Sequence, residues 1–119
     1  MRKMSKLIEL ARLVFSTKYC SKEEIESRIT SYKIHNALAK RLEIRGMIRE
    51  AIQLYEQAAR IYTSQAYNSL EVAAHLAQKN SMKEKAAEIW LESAYFAILE
   101  LRLRSFVNSM REYMRSRFQ

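Results

Sequence analysis

The chain has 119 residues, 49% of them apolar, which is enough to fill one domain with one core. A single Gly and no Pro exclude the tight turns that a sandwich or hairpin-rich sheet needs, and the dominance of Ala, Leu, Ile, Glu, Lys and Arg points to an all-α fold. The net charge of +8 is unevenly spread: five basic residues and one Glu in residues 1–21, eleven of each sign in 22–100, five and one in 101–119.

Basic ends around a neutral middle imply a scaffold whose termini meet something acidic: nucleic acid, an anionic membrane or an acidic protein. The lone Cys20 cannot form an intramolecular disulfide, no apolar run reaches the length of a membrane span, and no signal peptide follows Arg2, Lys3 and Lys6. A cytoplasmic protein is expected.

Taken in chain order, periodicity and caps predict five helices. The first covers about residues 3–18, with Met4, Leu7, Ile8, Ala11, Val14 and Phe15 on its apolar face. The second opens at Ser21, where Glu24 three residues on completes a capping box, and ends at Gly46, with an interruption expected near Thr30 and Ser31. The third runs from about Met47 to Tyr62 and the fourth from about Gln65 to Lys79. Ser81 and Glu84 suggest a second capping box, opening a fifth helix that meets no Pro or Gly before Gln119. One long C-terminal helix follows as an expectation.

A shift of 35 residues aligns Ala39 with Ala74, Met47 with Met82, Ala51 with Ala86 and Ala59 with Ala94, and pairs Tyr55 with Trp90, Leu54 with Ile89 and Ala58 with Ser93. Such a period is that of stacked helical hairpins. Leu38, Ala39, Leu42, Gly46, Ala51, Tyr55 and Ala58 in the first copy, and Leu70, Ala74, Ala86, Trp90 and Ser93 in the second, resemble the tetratricopeptide repeat. His35 replaces a bulky apolar residue, Thr63 stands where proline is usual, and Ala73 and Ala77 are smaller than the pattern prefers. The resemblance implies two hairpin repeats over 32–98, a capping segment over 1–31 and a basic helical extension over 99–119. It also implies a partner groove lined by Lys33, Asn36, Lys40 and Glu43 from the first copy and Asn68, Glu71, His75 and Lys79 from the second, suited to an acidic or extended peptide. More narrowly, Ala39, Leu42, Glu43, Gly46, Ala51, Tyr55 and Ala58, with Trp90 in the second copy, resemble the short pattern of enterobacterial PerC and ANR virulence regulators. That likeness implies transcriptional regulation through proteins or DNA.

Catalytic chemistry is not evident. The chain has no Asp, its thirteen carboxylates are all Glu, mostly at exposed-looking helical positions beside Lys or Arg, and His35 and His75 lack flanking carboxylates. Neither a metal site nor a cofactor is expected, and one glycine cannot make a phosphate loop. The informative charged feature is C-terminal, where Arg104, Asn108, Arg111 and Arg115 form a stripe beside an apolar face of Leu99, Leu103, Phe106, Val107, Met110 and Met114. Arginine so placed reaches phosphates or carboxylates. The expectation is therefore a non-enzymatic interaction module, a small bacterial regulator that binds protein and touches DNA through its basic ends. It is expected to self-associate, as a dimer, through its first and fifth helices. A type III secretion-like chaperone for an exported helical subunit, and a protein of the membrane surface, are the alternatives.

Overall fold

The computed structural model describes residues 2–100 and 103–118, with side chains from Ser5 to Glu100 and from Val107 to Phe118. The fold is all-α: α1 (Arg2–Lys18), α2 (Lys22–Ile44), α3 (Ile48–Ile61), a 3-10 turn (Thr63–Gln65), α4 (Ala66–Lys79), α5 (Lys83–Leu99) and α6 (Leu103–Phe118). From α2 onward each helix packs chiefly on its neighbours in the chain, so α2/α3 and α4/α5 are successive hairpins and α6 folds back on α5. Side-chain hydrogen bonds join α2 to α4 and α4 to α6, whereas ion pairs join α3 to α5. The result is two layers, α2–α4–α6 and α3–α5, with α1 laid against α5.

The two hairpin turns are the same structure repeated 35 residues apart. At the first, Gly46 has φ of 80°, its amide donates to the Glu43 carbonyl at 3.0 Å, and the Met47 amide reaches back to Leu42 at 2.9 Å. At the second, Ser81 has φ of 60°, with Ser81 bonded to Gln78 at 3.2 Å and Met82 to Ala77 at 2.9 Å. This double bond pattern closes a helix with its last residue in the left-handed region. The expected capping box at Ser81 is therefore replaced. Ser81 ends α4, and Met82 begins α5 with no side-chain cap. Ser21 does cap α2, accepting the Glu24 amide at 3.2 Å.

The left-handed conformation costs a side chain about 1–2 kcal/mol that glycine escapes. Gly46→Ala is expected to destabilise by about 1 kcal/mol through backbone strain alone, since a Cβ there meets nothing within 4 Å. Ser81→Gly should stabilise by about 0.5–1 kcal/mol, once the larger entropy of the unfolded glycine is set against the relieved strain. Urea titrations of the two variants check the opposite signs.

Burial follows the same register. Ala39, Ala51, Ala58, Ala59, Ala74, Ala86, Trp90, Ser93 and Ala94 are all at 0% exposure, with Tyr55 at 5%. Alanines where helices cross let the backbones approach, and the rings of Tyr55 and Trp90 fill the space between hairpins. One further step of 35 from Ala39 and Ala74 lands on Ser109, also at 0%, whose hydroxyl lies 2.9 Å from that of Ser93. Helix α6 thus occupies the place of a third unit's first helix.

Three further expectations change. The long C-terminal helix is not formed, because α5 ends at Leu99 with Glu100 as its cap, and a separate short α6 returns along it. No Pro or Gly marks this break, but folding back lets Ser109 and Tyr113 join the core, and tertiary burial outweighs helix continuity. Helix α2 runs uninterrupted through Thr30, whose hydroxyl donates to the Glu26 carbonyl within the helix. Helix α1 buries Leu10, Val14 and Thr17, while Ile8 and Phe15 stand 52% and 66% exposed, so its core face is rotated from the expected one. Among the expected face residues, the side chains of Met4, Leu103 and Phe106 lie outside the described residues.

Candidate partner groove

Helix α2 lies beside α4, and three of its residues tie it to the end of α3, to the 3-10 turn and to α4 itself. The Arg28 guanidinium donates to the Ile61 carbonyl at 3.0 Å, the Tyr32 hydroxyl to the Gln65 carbonyl at 3.1 Å, and the Ser69 hydroxyl to Asn36 Oδ1 at 3.0 Å. Between the helices opens a cleft of about 360 Å³, lined by Tyr32, Asn36, Lys40, Glu43, Tyr55, Asn68, Ser69 and Val72. Its floor is Tyr55 of α3, whose hydroxyl donates to Glu43 Oε1 at 3.2 Å. Burial, reinforced by the Glu43 charge, pushes the Tyr55 phenol up to about 12, so it stays a neutral donor that orients Glu43. The Asn68 amide is held by the Gln65 side chain.

Of the eight residues expected to line a groove, Asn36, Lys40, Glu43 and Asn68 share this cleft. Glu71, His75 and Lys79 follow Asn68 along one face of α4 at helical spacing, and Lys33 is exposed on α2. His75 also packs edge-on against Trp90, with ring centroids 5.1 Å apart, and lies 4.0 Å from Glu71. Two donors remain free in the cleft, beside a Glu43 carboxylate that takes part in no ion pair among the described residues. Asn36 spends its oxygen on Ser69 and keeps its NH₂, and Lys40 is exposed with no ion pair among the described residues. These groups match main-chain carbonyls and a carboxylate.

The C-terminal stripe is only partly a free surface. The Arg104 side chain lies outside the described residues. Asn108 is turned inward, donating to the Tyr67 hydroxyl at 2.9 Å, and burial raises that phenol above its ordinary range. Arg115 pairs with Glu112 at 3.1 Å, and Arg111 is exposed. Among the packing residues, Leu42 is half-buried against the core and Leu38 is 44% exposed on the outer side of α2.

A second cleft, of about 480 Å³, lies where α1, α3 and α5 meet, and Lys6, Glu56, Arg60, Lys85, Glu88, Leu91, Glu92 and Tyr95 line it. Glu92, 9% exposed, accepts from Arg60 at 3.0 Å and sits 3.6 Å from Lys6. Arg60 also reaches Glu9 at 2.8 Å, and Lys85 meets Glu56 at 3.2 Å. Burial raises the Glu56 carboxyl above its usual range despite the opposing pull of Lys85. These charges satisfy one another, so the cleft reads as a clamp holding α1 to the stack. Sequence reasoning missed it, since Lys6, Arg60 and Glu92 are far apart in the chain and share no local motif.

No helix among the described residues is long and apolar enough to cross a membrane. No protein-family model, curated protein or solved structure matches the chain.

Proposed function

We propose that this chain is a non-enzymatic helical-repeat interaction module, whose groove between α2 and α4 receives an extended, acidic segment of a partner protein. The observation that carries this is the pair of free donors in the cleft, where the Asn36 amide and the unpaired Lys40 stand over a floor held still by the hydrogen bond from Tyr55 to Glu43. An extended strand of chain offers carbonyls at a spacing that such donors meet, and an acidic side chain answers Lys40. The polar lining suits this ligand better than the apolar helix of an exported subunit, which sets the secretion-chaperone reading behind it. The sequence likeness to PerC and ANR regulators supports bacterial transcriptional control as the setting of that binding. Direct DNA contact would then fall to Arg111 and Arg115.

The test is affinity capture from the native cell with and without nuclease, repeated with Lys40→Glu and with Asn36→Ala. A protein partner that survives nuclease and binds Lys40→Glu about tenfold or more weakly is the expected result. Capture that nuclease abolishes, or that both variants leave unchanged, overturns the groove reading.

A further inference from the structure

The first edge of the stack is bare. Among the described residues no element packs closely on the side of α2 turned away from α3 and α4, since α1 lies chiefly against α5. Along that side Glu23, Ser27, Thr30, Ile34, Leu38, Arg41 and Arg45 recur at steps of three and four and are all exposed, which puts them in one straight stripe about 34 Å long. Ile34 is 53% exposed and Leu38 44%. The stripe has a polarity: acid at its start, small hydroxyls next, apolar residues at the middle and arginines at its end. Glu23, Arg41 and Arg45 take part in no ion pair among the described residues.

We infer that this stripe is an isologous interface, on which α2 of a second copy of the chain lies antiparallel. Self-complementarity is the argument. A two-fold axis through Ile34 sets Ile34 on Ile34, Leu38 on Thr30, Arg41 on Ser27 and Arg45 on Glu23, so each end of the helix pair gains an opposite-charge contact and the centre buries its apolar side chains. A parallel copy would set Glu23 on Glu23 and Arg45 on Arg45, and is disfavoured by repulsion at both ends. The groove residues Asn36, Lys40 and Glu43 lie on another face of α2, so a dimer of this kind presents two grooves.

Sedimentation velocity of the full chain over a range of concentrations tests this, with circular dichroism to verify folding. The expected result is a monomer–dimer equilibrium that Ile34→Glu weakens about tenfold or more. Glu23→Arg and Arg45→Glu should each weaken it as single variants and restore it when combined. A chain that stays monomeric into the high micromolar range overturns the inference. So do dimers that Ile34→Glu leaves intact, and open-ended oligomers that depend on Val107 and Met114 of α6.

Discussion

Trp90→Ala is expected to destabilise the protein by about 3–5 kcal/mol, from lost transfer energy together with the cavity left behind. Trp90 heads the fully buried side chains by volume and sits at 0% exposure in α5, where it belongs to the core cluster shared by α1 to α5. Against a total stability of about 5–15 kcal/mol for a domain of this kind, that loss is at least about a fifth of the whole. The unfolding midpoint in urea, followed by circular dichroism because the chain has only one Trp, should fall sharply or the transition should vanish. Trp90→Phe should cost less, since it keeps a ring against His75 and discards an indole N–H that has no acceptor among the described residues. A midpoint for Trp90→Ala close to that of the parent would show that the second hairpin does not depend on this ring.

Arg60→Ala is the second large effect, expected to cost about 2–3 kcal/mol. Arg60 alone among the described residues joins Glu9 of α1 to Glu92 of α5. Its removal leaves the buried Glu92 carboxylate with Lys6 at 3.6 Å. The figure is set below that of a fully buried pair because the side chains of Arg60 and Lys6 are 31% and 39% exposed and partly screened by solvent. The loss should concentrate in α1, seen as faster amide exchange there while α4 and α5 stay protected. Replacing both partners, Arg60→Leu with Glu92→Leu, should recover most of the stability, because apolar groups of similar size need no pairing. If the double variant is no better than Arg60→Ala, the uncompensated charge is not the cause and lost packing of the arginine stem is.

How much was legible in the chain depends on the range of the physics involved. The hairpin turn at Gly46 was readable because one glycine in 119 residues stands where a helix must stop, and the recurrence at Ser81 because the 35-residue shift aligns the flanking residues. The conformation at Ser81 was not. A serine three residues before a glutamate satisfies the local rule for a helix start, and only the bond from Met82 back to Ala77 shows that it ends one instead. The groove residues Asn36, Lys40, Glu43 and Asn68 were placed through the repeat register, and they share a cleft because that register holds α2 beside α4. Nothing local marked Tyr55 as its floor, since the same position was already accounted for by packing.

The sequence by itself determined the all-α class, the 35-residue period and which small residues sit where helices cross, because helix propensity, amphipathic spacing and alanine placement act over one or two turns. The tertiary structure decided the rest. It broke the C-terminal helix after Leu99 and returned α6 as a third unit, since burying Ser109 and Tyr113 outweighs an unbroken run of local hydrogen bonds. It rotated α1 so that Leu10 and Val14 point inward and Phe15 outward, and it drew Lys6, Arg60 and Glu92 into one clamp. Both outcomes depend on which faces meet in space, a sum over distant contacts that no short window of residues contains.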